Sequence, residues 1–417
     1  MQKPEPFFIK HKYVFLIVVT ALCELAAFDW LLEFRKQSIF LPDSTNYMDA
    51  AQKLYFDFSL HHFRPLLMAL VSGIPYAFGC SDFAVLQWSF FLNICCWVVT
   101  AILVFKIISF FTSEKTAFFF SLFSLFFVGN VALTYFLLTE SLYTVFIALG
   151  MYLFFRYYKD KKFVFLSLAL SVFILSMLIK PGSKFLAVGL CLYTIVAVYR
   201  NYRNRSVFLI LASFILVAFQ LIGMKKQYGD YTISYIDGFT YYNYLGSRAV
   251  AIEKGKDFDA VSYERASIIR NLDFSVGKKA VFSDLISQIK EDPIPLAKAY
   301  FINVYDNIKP GNSVIGAAKN LNHSPYFESV KQLLYNISKW QNRLFTILGF
   351  LLGGYFVIKK YKSDKAITIT AFFILYIIGT SGISCGEGDR FHLVTFPFTM
   401  VLIAKFISER NFFRPKS

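Results

Sequence analysis

Long apolar runs recur along the chain, and the short polar stretches between them are rich in Lys and Arg. Crossing a hydrocarbon core takes about 20 residues at 1.5 Å each. Ten runs qualify: 13–32, 83–105, 116–137, 141–157, 163–179, 184–199, 206–224, 342–358, 366–384 and 392–407. A further run at 65–78 is short and is broken by Gly73 and Pro75, which predicts an interfacial or re-entrant helix rather than a span. Basic residues in short loops mark the cytoplasmic side of a membrane. With ten spans, the basic loops 106–115, 156–162, 200–205 and 359–365 all fall on that side, as do both termini. A span at 65–78 would move the loops that follow it to the other face. The first run follows Lys3, Lys10 and Lys12, yet it contains Glu24 and Asp29 and no small-residue cleavage site follows, so it reads as a retained helix.

The pattern therefore predicts an all-α polytopic membrane protein of about ten transmembrane helices, with a juxtamembrane helix and a small extracytoplasmic domain. Residues 1–224 form a seven-helix module whose first outside loop is 33–82, and 341–417 form a three-helix module. Between them, 225–340 mixes charges of both signs with clustered aromatics and helical apolar spacing, which predicts a domain on the far side.

Composition supports lipid as the solvent: 56% of the residues are hydrophobic and 17% charged. The formal charge of +16 is accounted for by the cytoplasmic loops, which removes the need for a nucleic-acid partner. Cys23, Cys95, Cys96 and Cys191 lie within apolar runs as small hydrophobes and have no metal spacing. Cys80 and Cys385 fall on the far side, where an oxidising compartment permits a disulfide. A carboxyl inside a span costs about 2.5 to 3.5 kcal/mol, so Glu24 is expected to face the protein interior, as a structural or a functional group.

The far-side connections are short and chemically dense. In LPDSTNYMDAAQKL, Asp43 precedes a helix expected to begin near Asn46 and to carry Tyr47; Asp43 is then either a helix cap or a reactive carboxylate. The same loop continues to His61, His62, Arg64 and Pro65. Glu140, Lys180, Glu387, Asp389, Arg390 and His392 stand at the same ends of later spans. Singly each is a cap or a snorkelling charge. Together they offer cations for an anionic phosphate and carboxylates for a general base.

The order of these motifs resembles the polytopic glycosyltransferases of the GT-C fold that use polyprenyl-phosphate sugars. The parts are Asp43-Ser44 with Tyr47, Arg64-Pro65, Glu140-Ser141, Lys180-Pro181, and Gly386 or Gly388 with Arg390, Phe391 and Pro397. The family's Arg-Pro-Pro-Leu reads Arg64-Pro65-Leu66 here. The resemblance implies a multi-pass enzyme of the cell (inner) membrane whose site faces the periplasm or exterior. It would transfer a hexosyl- or pentosyl-type sugar, with inversion, from a polyprenyl-phosphate donor to a lipopolysaccharide or other surface glycan. Asp43 would be catalytic, and Tyr47, His62, Arg64, Glu140, Lys180, Glu387, Asp389, Arg390 and His392 would bind substrate. No cofactor is required on this reading, with a divalent metal the one candidate. A surface-polysaccharide polymerase or ligase shares the chemistry. A transporter or flippase would show paired inverted repeats, which the sequence lacks.

Overall fold

A computed structural model describes residues 11–37, 42–386 and 388–410. Every regular element among them is helical. In chain order the main helices are α1 (Lys12–Leu32), α2 (Pro42–Phe56), α3 (Leu66–Ser72), α4 (Asp82–Ile108), α5 (Glu114–Leu125), α6 (Val128–Thr134), α7 (Glu140–Asp160), α8 (Phe163–Ser176), α9 (Lys184–Arg200) and α10 (Val207–Tyr228). They continue with α11 (Ser247–Lys254), α12 (Phe258–Arg270), α13 (Phe274–Glu291), α14 (Pro293–Ile308), α15 (Phe327–Lys360), α16 (Lys365–Ser381) and α17 (Phe396–Glu409).

Each predicted run carries helix, but the count of ten independent spans is not met. Five helices are long and apolar enough to cross a membrane, or six when α5 and α6 count as one span bent by 63°. α8 and α16 are apolar but shorter. Three of the runs are cut short or interrupted by irregular backbone. α8 gives way to the Lys180-Pro181 turn and α16 to Gly382, while Phe126 and Phe127 separate α5 from α6. Irregular backbone is tolerated at membrane depth where it is buried in protein or lines a cavity. The chain is a multi-pass membrane protein, with lipid-facing side chains such as Leu192, Val196, Phe208 and Ile215 exposed on α9 and α10.

The 65–78 run is the short helix α3 followed by a 3₁₀ turn at Ile74–Phe78, as its Gly and Pro predict. α2 begins at Pro42 rather than near Asn46, so Asp43 lies inside the first turn instead of ahead of it. Proline favours that first position because its missing N–H has no partner there. The 225–340 stretch is mostly helical, with irregular segments such as 229–235 and 318–326, and continues into the bundle: α15 passes residue 340 without a break. A second apolar core joins this stretch to the first loop, packing Leu60 and Leu66 against Met224, Tyr235, Phe239 and Tyr242. Cys80 and Cys385 are free thiols, the first exposed and the second buried, so the permitted disulfide does not form. Glu24 is half-buried on α1, with Oε2 out of contact with solvent.

Candidate functional site

α7 fixes the geography of the bundle. It begins at Glu140 and ends at Asp160, about 30 Å apart at 1.5 Å per residue. At its far end the basic loops gather: Arg156 pairs with Asp160, Lys159 sits 5.2 Å over the Phe110 ring, and Lys405 bridges Asp364 and Glu409. At its near end lies a cavity of about 380 Å³, lined by Asp43, Tyr47, Arg64, Glu140, Lys180 and Arg390.

Six residues singled out by sequence, contributed by five separate segments, therefore meet in one place. Asp43 is the hub. Its Oδ1 accepts from Arg64 Nη2 at 2.7 Å and its Oδ2 accepts from Arg390 Nη2 at 2.9 Å. Glu140 Oε1 stands 3.3 Å from the same Arg390 nitrogen and 3.6 Å from Lys180 Nζ. Tyr47, one helical turn beyond Asp43, accepts from Arg64 Nη1 at 3.2 Å, and its ring lies 4.3 Å beneath that guanidinium. These three cations face two carboxylates, and with the Lys184–Asp237 pair that also lines the cavity the net charge is one positive. Burial alone would raise the Asp43 carboxyl, but the positive charges of Arg390 and Arg64 outweigh it and hold the group below its usual range.

The loop that delivers Arg64 is organised by an imidazole. His61 Nδ1 accepts from the backbone N–H groups of Phe63 and Arg64 at 3.0 and 3.1 Å, so the ring proton sits on Nε2, which faces Asp49 at 3.1 Å. Burial, reinforced by His62 and Lys53, pushes His61 down to about 3. His62 does not line the cavity. It stacks between His61 and Phe274 at 4.3 and 4.4 Å, as part of the second apolar core, and burial lowers it to about 4.

Asp389 and His392 also lie behind the cavity wall rather than on it. Asp389 is fully buried and accepts from Asn312 Nδ2 at 2.8 Å; burial raises it to about 8. His392 is buried between Ser381 and Asn342. Both support the turn that presents Arg390. Glu387 lies outside the described residues.

Sequence reasoning passed over several members of the site. Tyr143 lines the cavity three residues after Glu140, and Lys180 Nζ lies 5.7 Å from its ring. Lys184 pairs with Asp237, which brings the 225–340 stretch into the wall. Asn303, Asn307 and Asn342, all fully buried, bind the carbonyls that shape the loops around Arg390: Asn303 that of Gly382, Asn307 those of Ser381 and Ser384, and Asn342 those of Asn307, Ile308 and Pro310. A signal for Lys184 and Asp237 was present, since Lys184 closes the short far-side KPGSK connection and Asp237 precedes Gly238 in the far-side stretch. Buried asparagines leave no such mark.

A divalent cation was the one cofactor in view. Among the described residues no group of three or more His, Cys, Asp or Glu side chains is placed to hold a metal ion. Asp43 and Glu140 converge on Arg390 instead, so an ion bound between them would have to displace a guanidinium.

No protein-family model and no curated protein matches the sequence. Among solved structures the chain is similar to the archaeal oligosaccharyltransferase AglB from Archaeoglobus fulgidus, in complex with an inhibitory peptide and a dolichol-phosphate. The identity is 14% and the TM-score 0.46, over 97% of this chain and 51% of that one. It is also similar to the Archaeoglobus fulgidus oligosaccharyltransferase tethered to an acceptor peptide containing the NVT sequon, at 12% identity and a TM-score of 0.46, over 98% of this chain and 51% of that one. The chain spans about half the length of these structures.

Proposed function

We propose that this protein is a membrane glycosyltransferase that moves a sugar from a polyprenyl-phosphate donor to a hydroxyl of a surface-glycan acceptor on the extracytoplasmic side. One observation carries the reading: a single cavity joins Asp43 and Glu140 to Arg64, Lys180 and Arg390 beneath apolar walls. The cations suit a phosphate, and the apolar lining, which includes Phe185, Ile377 and Val394, suits the first carbons of a lipid tail.

In the mechanism this implies, the donor phosphate enters between Arg64, Lys180 and Arg390. The phosphate competes for the two guanidiniums that hold Asp43, and their release restores the basicity that the ion pairs suppress. Asp43 then takes the proton of the acceptor hydroxyl as its oxygen attacks the anomeric carbon. The bond from that carbon to the phosphate oxygen breaks on the opposite face, giving inversion. The charge of the departing polyprenyl phosphate is stabilised by the three cations. Glu140 keeps Arg390 and Lys180 in register by its contacts to both.

The test is transfer of label from a radiolabelled polyprenyl-phosphate sugar to membrane-extracted acceptors by the purified protein in detergent. The wild type is expected to transfer label, and Arg390→Ala to lose a factor on the order of 10² or more as an electrostatic contact to the leaving group is removed. Equal transfer by both proteins would defeat the proposal.

A further inference from the structure

A second hollow, of about 440 Å³, lies across the loop residues 383–386 and 388–391 from the reaction cavity. Ile383, Ser384, Arg390 and Phe391 face the reaction cavity, whereas Cys385 and Gly386 face this one, so the loop is a shared wall. Gly386 and Gly388 hold positive φ angles of 84° and 65°, a region that favours glycine. A side chain at Gly388 would place its Cβ 2.8 Å from the Gly311 carbonyl oxygen.

The far wall of the hollow is built around Arg248. Its Nη1 lies 2.7 Å from Asp306 Oδ2, Nη2 donates to Cys385 Sγ at 3.4 Å, and the guanidinium sits 4.5 Å from the Phe258 ring centroid. Its Nε is buried without a hydrogen-bond partner. The group is therefore held in place before any ligand arrives. Lys309 and Lys339 flank it, and neither ammonium has a salt-bridge partner among the described residues. Asp259 also faces the hollow, so three cations stand against two carboxylates. Phe258 and Tyr335 supply aromatic faces of the kind on which the C–H face of a pyranose packs, and the volume falls within the usual range for small-ligand sites.

Resting on the glycosyltransferase reading, we infer that this hollow is an acceptor-side subsite for an anionic saccharide. The sugar ring packs on Phe258 and Tyr335, and its acidic group is held by Lys309 and Lys339. A glycan whose hydroxyl enters the reaction cavity continues over Gly386 into the hollow.

Saturation-transfer NMR with glucose 6-phosphate as the probe, alongside glucose, tests this on the full-length protein in detergent. Wild type and Arg390→Ala are expected to give comparable saturation of the pyranose protons, and the Lys309→Ala, Lys339→Ala double variant roughly tenfold less, since two charged hydrogen bonds are lost. Glucose should give a signal as weak as that of the double variant. Unchanged saturation in the double variant, equal signals from both sugars, or loss in Arg390→Ala would each overturn the subsite. In the transfer assay the double variant should raise the acceptor KM and leave kcat near wild type. Lysine-dependent probe binding without any transfer would keep the saccharide site and remove the glycosyltransferase reading. Transfer with probe binding indifferent to the lysines would do the reverse.

Discussion

Asp43 was legible in the sequence as either a cap or a base; inside the first turn of α2 and between Arg64 and Arg390, it is left as either a structural ion-pair partner or a base. Asp43→Asn separates them. Asn retains the size but removes the charge that Arg64 and Arg390 both face, so the melting temperature should fall with folding retained, while transfer falls by a factor on the order of 10² or more. Near-normal turnover would move the base elsewhere, with Glu140 next in line. Asp389 was legible only as a polar residue at a span end, because nothing in a linear pattern says whether a carboxyl lies on a cavity wall or behind it. Raised to about 8 by burial, it binds a proton in the folded protein that the unfolded chain has already lost above its ordinary value of 3.8. Its contribution therefore makes stability fall as pH rises from about 4 to about 8, then level off. Thermal denaturation of Asp389→Asn across that window should show a flatter profile than wild type; an identical slope would place the ionised carboxylate in the fold.

The elements were mostly legible, since apolar period and length reveal helices directly, and the broken run at 65–78 declared itself through Gly73 and Pro75. What hydropathy does not encode is where a helix bends or pauses. The break between α5 and α6 sits in an unbroken apolar run, and α15 joins a polar stretch to an apolar one although composition suggests a boundary. The turn before α3 was read correctly as a cluster of imidazoles and a guanidinium, but the roles divide: His61 holds the backbone of Arg64, and His62 belongs to the apolar core. Both rings are kept neutral by burial, at about 3 and about 4, while the unfolded chain protonates near 6.5. Stability contributed by this turn is thus full above about 6.5 and is lost as pH falls towards 4. His62→Phe preserves the stacking and removes one titration, so its melting temperature should decline less steeply than that of wild type between those values. A decline as steep as wild type's would show that His62 is already charged in the fold.

For the whole molecule, the proposed membrane orientation rests on the clustering of the basic loops at the end of α7 away from the cavity. Cysteines introduced near Lys161 and Lys360 should resist an impermeant thiol reagent in intact cells, and one near Asn322 should react. Labelling of the first pair would invert the orientation. The gathering of Asp43, Arg64, Glu140, Lys180 and Arg390 was anticipated as a shared membrane face; their closeness within that face depends on packing, which spacing along a chain does not give. The central claim is that this cavity receives a lipid phosphate. An experimental structure determined with polyprenyl phosphate bound tests it directly: the headgroup should lie between Arg64, Lys180 and Arg390, with Asp43 freed from at least one guanidinium. A headgroup bound elsewhere, with both Asp43 ion pairs intact, would contradict the account.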